Sequence, residues 1–229
     1  MMRAFKRRRG MYVARLDEDE RGVIAALVAD VAELLGAGRI DEGAVSAGDG
    51  SPRLQLEPVA PPSDPAVRRL LPDASRDDPE VSAEFRRLTE DDIRAGKVAR
   101  LVRLWTALTT PSDGHRPDVF AIDPVDAKDV AAALTDLRLV LAERLEIRTD
   151  GQAERLYDQL LTSPAADLDD DVGVELDPAT RRYLVAVYGA LSWLQESLVE
   201  ALLTDLRAPG GARDTPRGRP PAGEHPTSS

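Results

Sequence analysis

The chain has 229 residues, 30 basic and 41 acidic side chains for a net charge of −11, two histidines and no cysteine. That inventory excludes disulfides, thiolate nucleophiles, thiol switches and cysteine-ligated zinc, and leaves only His115 and His225 for an imidazole triad or a zinc site. The length suffices for a self-contained core, since about 180 ordered residues would bury roughly 70% of the unfolded surface.

From the N-terminus, Phe5 to Leu16 predicts a short hairpin, with Lys6-Arg7-Arg8 on one arm, a turn near Arg9-Gly10, and Met11 to Leu16 on the other. Gly10 supplies the positive φ that such a turn demands. Asp17 with Glu20 three residues on forms a capping box. Ile24, Leu27, Val28, Val31, Leu34 and Leu35 then make one helical stripe, and Gly36 and Gly38 stop it. Residues 37–65 hold four Gly and five Pro without periodicity, and predict a mobile loop.

A helical turn at Ala66–Leu71 ends at Pro72, and Glu80–Arg87 reads as another short helix. Thr89 then caps a further helix, with acids at 90–92 and an apolar face of Ile93, Leu101, Leu104, Trp105 and Leu108. Asp73, Asp77 and Asp78 read as turn and capping residues. Pro111–Pro117 is a turn, and Asp118–Ile122 predicts a short strand whose pairing with the hairpin nothing in the sequence fixes. Asp123-Pro124 is a cap with proline at the first helical position, ahead of Val130, Leu134, Leu137, Leu141 and Leu145. A shorter helix at Gln152–Leu161 precedes an acidic loop. Asp177-Pro178 repeats the cap before a last helix that places Leu184, Val187, Tyr188, Leu191, Leu194 and Leu198 on one face. The expected fold is mainly α: a bundle of four to five main helices with a small N-terminal β-hairpin. It forms one domain over 1–207, and 208–229 are a disordered Pro/Gly-rich tail.

No apolar run approaches the ~20 residues of a membrane span. The basic start is followed by Met11-Tyr12-Val13-Ala14-Arg15, which is no signal-peptide core, so a cytoplasmic protein is expected. Residues 1–15 carry +6 with no acid, which leaves −17 on the remaining 214. Such a body repels nucleic acid, and any DNA contact should be weak and confined to the basic start.

Lys6, Arg7, Arg8 and Arg9 are candidates for gripping phosphates or an acidic protein. Against that stands a solvated hairpin edge whose charge merely discourages strand-to-strand aggregation. The acidic loop Asp167–Gly173 fails as an EF-hand, because position 6 is Val172 and position 12 is Pro178. No Gly-rich phosphate loop, metal cluster or helix-turn-helix occurs. No catalytic, metal or cofactor residues are assigned, and an enzyme is not expected. Opposite the leucine face of the last helix lie Ala186, Gly189, Ala190 and Trp193. A helix apolar on both sides is usually buried, so this face is expected to be internal and the chain monomeric. The alternative is a partner helix, with Trp193 as its anchor.

Several segments carry a resemblance: Phe5-Lys6-Arg7, Asp64-Pro65 through Leu70-Leu71-Pro72-Asp73, and Glu84-Phe85-Arg86-Arg87-Leu88-Thr89. Asp136-Leu137-Arg138-Leu139 with Arg144-Leu145, and Trp193 through Leu198, complete it. Together they resemble the actinobacterial AosR-like oxidative stress regulators. The resemblance implies a cytoplasmic regulator of transcription whose partners are RNA polymerase and an alternative sigma factor. Sensing in that family is linked to N-terminal cysteines, where this chain has Phe5 and Tyr12. Composition alone equally fits a helical adaptor or scaffold linked to regulated proteolysis.

Overall fold

A computed structural model of the chain describes residues 2–43, 59–75, 77–110, 118–162 and 176–207. The elements are β1 (Arg3–Arg8), β2 (Met11–Arg15), α1 (Glu18–Leu34), α2 (Pro65–Leu70), α3 (Pro79–Thr109), β3 (Val119–Ile122), α4 (Ala127–Arg144), α5 (Asp150–Thr162) and α6 (Pro178–Arg207), with a 3-10 turn at Ile40–Glu42. The fold is mainly helical, as expected, with a small antiparallel sheet at the N-terminus.

Local signals set most element ends. Asp17 and Glu20 close the capping box of α1 in both directions at 2.9 Å. Gly36 ends that helix at φ +83°, donating to Glu33 O, while the Ala37 N–H donates to Ala32 O; this is a Schellman stop. Asp177 Oδ1 accepts the Ala179 and Thr180 N–H groups at the start of α6. Arg9 and Gly10, both at positive φ (50° and 84°), form the tight turn between β1 and β2, the twist that two-residue hairpins favour.

The strand at 119–122 joins the hairpin through β2, giving the order β1-β2-β3 with Val13 opposite Ala121 and Ala14 opposite Phe120. One face of the sheet is buried, through Phe5, Tyr12, Ala14, Phe120 and Ile122. The other carries Lys6, Arg8, Met11 and Val13 outward, the alternation of a sheet wetted on one side. The buried face meets Ile24, Val28 and Val31 of α1, Leu101, Leu104 and Leu108 of α3, Val130, Leu134, Leu137 and Leu141 of α4, and Leu191, Leu194 and Leu198 of α6 in one core.

Two expectations need correction. The segments read as two helices on either side of Thr89 form one helix, α3, of 31 residues. Its cap is Asp78, which accepts from Glu80 and Val81, while the Thr89 hydroxyl donates back to Phe85 O and so sits within a helix interior. Asp123 does not cap α4. It accepts the Val125 N–H and, with its carbonyl, the Asp126 N–H in a turn, and the helix begins at Ala127. The loop expected over 37–65 is anchored at its start, where Ala37 and Ile40 are buried in the core; its stretch 44–58 lies outside the described residues. The acidic loop Asp167–Gly173, His115, His225 and the tail from 208 lie outside them too.

Long-range polar ties brace the bundle. The buried Arg21 guanidinium donates to Leu108 O and Thr110 O, satisfying carbonyls that the end of α3 leaves open. Arg86 joins Asp73 and Val59 O, and Glu90 accepts from Arg94, which also reaches Leu35 O. Asp64 accepts from Arg144 at 2.6 Å, fastening α2 to α4.

Candidate interaction site

Lys6 and Arg8 stand on the outer face of β1, and Arg9 occupies the turn; all three are exposed. Among the described residues no carboxylate pairs with any of them. Arg7 differs: its guanidinium lies 4.8 Å from the Tyr12 ring centroid and 3.2 Å from Asp205 near the end of α6. Tyr12 donates to the same carboxylate at 2.7 Å, and burial together with Asp205 raises the phenol above its ordinary value, so it remains a donor. Arg7 is thus a clamp between hairpin and helix, and the freely presented cations are Lys6, Arg8 and Arg9. The edge of β1 is partly sealed, since the Phe5 N–H donates to the Ser197 hydroxyl at 3.1 Å. The turn therefore projects from a braced sheet.

Trp193 lies elsewhere. Twelve residues separate it from Asp205, the residue that holds Arg7, a helix length of about 18 Å. The expectation that its face is internal fails. Trp193 is 41% exposed, Ala186 is exposed, and Gly189 and Ala190 are half-buried. The physical reason is the place of α6 in the fold. Its leucine side packs on α4 and its flanks meet β1 and α5, so among the described residues no element covers the side opposite. Trp193→Ala should consequently cost about 1 kcal/mol or less, the scale of a surface substitution, rather than the 3–5 kcal/mol of a buried aromatic. Urea unfolding of the variant checks this.

Two apolar stripes escaped the sequence reading. Val199, Leu203 and Leu206 are exposed on the C-terminal half of α6, and Val81, Phe85 and Leu88 on the first turns of α3. Their spacing of four and three residues was legible, but it also describes a core face, and only the fold shows that they stay exposed.

The residues that carry the family resemblance prove largely to bind one element to another. Asp64 meets Arg144, Asp73 meets Arg86, Arg138 meets Gln195, and Ser197 meets Phe5. None of these pairs presents a nucleophile or an acid–base couple to a cleft. What the arrangement defines is a mainly helical protein with a small one-sided sheet, displaying a cationic turn, a half-exposed tryptophan and two apolar stripes. The chain belongs to the family described as a domain of unknown function, DUF2017, whose model matches residues 2–202. No curated protein and no solved structure matches it. Among the described residues no helix is long and apolar enough to cross a membrane.

Proposed function

We propose that this protein is a non-enzymatic, cytoplasmic regulator of transcription that works by protein contact with RNA polymerase and an alternative sigma factor under oxidative stress. The resemblance of its motifs to the AosR-like regulators supports the class of partner. The observation that carries the reading is the braced hairpin: Lys6, Arg8 and Arg9 stand exposed, without carboxylate partners among the described residues, on a chain that is otherwise strongly acidic. Such an element suits an acidic patch on another protein, where opposite charge steers encounter and fixes orientation. DNA is a poor partner, because the acidic body repels the duplex beyond the reach of the turn.

Affinity capture from stressed and unstressed cells, with the natural chain and with Lys6→Glu/Arg8→Glu/Arg9→Glu, tests the reading. Polymerase subunits should come down with the natural chain and be depleted with the triple variant. Recovery of protease components instead would replace this reading with that of an adaptor in regulated proteolysis.

Without cysteine the stress signal must enter through the partner. Peroxide treatment of the purified chain should leave partner affinity unchanged apart from sulfoxide at Met1, Met2 and Met11. A reductant-reversible change in that affinity would refute it.

A further inference from the structure

A cleft of about 190 Å³ opens between α2, the C-terminal half of α4, the turn that leads into α5 and the middle of α6. Three guanidiniums line it from separate places: Arg69 on α2, Arg138 on α4, and Arg148 on the turn into α5, with Thr135, Thr149 and Tyr188 between them. One carboxylate, Glu143, serves two of the three. It accepts from Arg148 at 2.7 and 3.1 Å and from Arg69 at 3.2 Å. The Arg148 guanidinium, aided by Arg69, holds that carboxyl below its ordinary range, so Glu143 stays anionic.

Among the described residues no carboxylate hydrogen-bonds to Arg138. Its partners are neutral: Gln195 Oε1 at 2.8 Å, the Tyr188 hydroxyl at 3.4 Å and the Tyr188 ring at 5.4 Å. Its Nε is buried and meets no acceptor. A buried guanidinium N–H without an acceptor is costly, and an anion drawn to the cleft would relieve it. Arg69 and Arg148 share Glu143, and Glu146 also acts on Arg148, so Arg138 is the lining guanidinium that no carboxylate hydrogen-bonds among the described residues. Hydroxyl donors are at hand as well. Thr149 Oγ1 accepts the Gln152 N–H, and the Tyr188 oxygen accepts from Arg138, which leaves both hydroxyl protons free to be given to a ligand.

We propose that this cleft binds a small phosphate: a doubly charged tetrahedral oxyanion, free or as a monoester, held by Arg138 and Arg148 with Thr149 and Tyr188 as hydroxyl donors. A tetrahedral oxyanion has oxygens enough to meet the guanidiniums and both hydroxyls at once, and guanidinium N–H donors suit those oxygens.

Calorimetry on the full chain at constant ionic strength tests the proposal, with inorganic phosphate and a nucleoside 5′-monophosphate as separate probes and chloride as control. Saturable binding of either phosphate at pH 8 is expected, fading toward pH 5.5 as the ligand takes up a proton. Tighter binding of the ester names a monoester as the occupant, and the reverse names free phosphate. Arg138→Gln and Arg148→Gln should each weaken binding by about tenfold or more, while Arg103→Gln, outside the cleft, should not. Arg148 has a side chain 56% exposed, so its variant keeps the test valid even if Arg138→Gln unfolds the chain. Absence of saturable binding by both phosphates, or unchanged binding in Arg148→Gln, overturns the proposal.

Discussion

Asp136→Ala is expected to destabilise the chain by about 3–5 kcal/mol, the cost of leaving a buried charge without its partner. Lys97 on α3 reaches Asp136 on α4 at 2.5 Å, and their side chains are only 14% and 4% exposed. With the carboxylate gone, the ammonium must remain unpaired among apolar neighbours or drag its stem to the surface. The pair itself need not be stabilising, because the second Asp136 oxygen is buried without a hydrogen-bond partner. Replacing both residues at once, with Lys97→Met and Asp136→Leu, should therefore come out neutral or more stable than the natural chain. Urea midpoints of the single and double variants decide it. A loss below about 1 kcal/mol in Asp136→Ala would mean that Lys97 escapes to water and that the tie between α3 and α4 is incidental.

Phe120→Ala should cost a similar 3–5 kcal/mol, by a different mechanism. Phe120 is almost fully buried on β3, and its ring lies 5.7 Å from that of Phe5 at a 56° tilt. It is the point where the third strand, the hairpin and the helices share one core, so truncation opens a cavity and loosens the support of β1. Stability should fall, and partner affinity should fall with it even though Lys6, Arg8 and Arg9 are untouched. Full affinity in a destabilised but folded Phe120→Ala protein would show that the cations act as a flexible arm rather than as a positioned turn.

How much of this was legible before the fold depended on how local the signal was. The capping box at Asp17 and Glu20, the stop at Gly36, the Arg9-Gly10 turn and the Asp177-Pro178 start of α6 are each settled within four or five residues, and each stands where the sequence placed it. Thr89 misled because a threonine hydroxyl satisfies a backbone carbonyl inside a helix as readily as it caps one. Asp123 misled because an Asp-Pro pair also nucleates a turn. The buried charges were out of reach. Arg21 meets carbonyls 87 and 89 residues away, and Lys97 meets Asp136 across 39. The face of Trp193 was visible on the helical wheel, but whether anything covers it depends on how many elements pack around α6, which no periodicity within one helix reveals.

The cationic turn carries the functional account, and one measurement tests it most directly. Purified RNA polymerase holoenzyme, assembled with a stress sigma factor, is titrated with the natural chain and with Lys6→Glu/Arg8→Glu/Arg9→Glu at two salt concentrations. The account predicts a direct complex that weakens as salt rises, and a loss of affinity on the order of 100-fold in a triple variant that is still folded. No complex with the natural chain, or equal affinity for both chains at low salt, would contradict it.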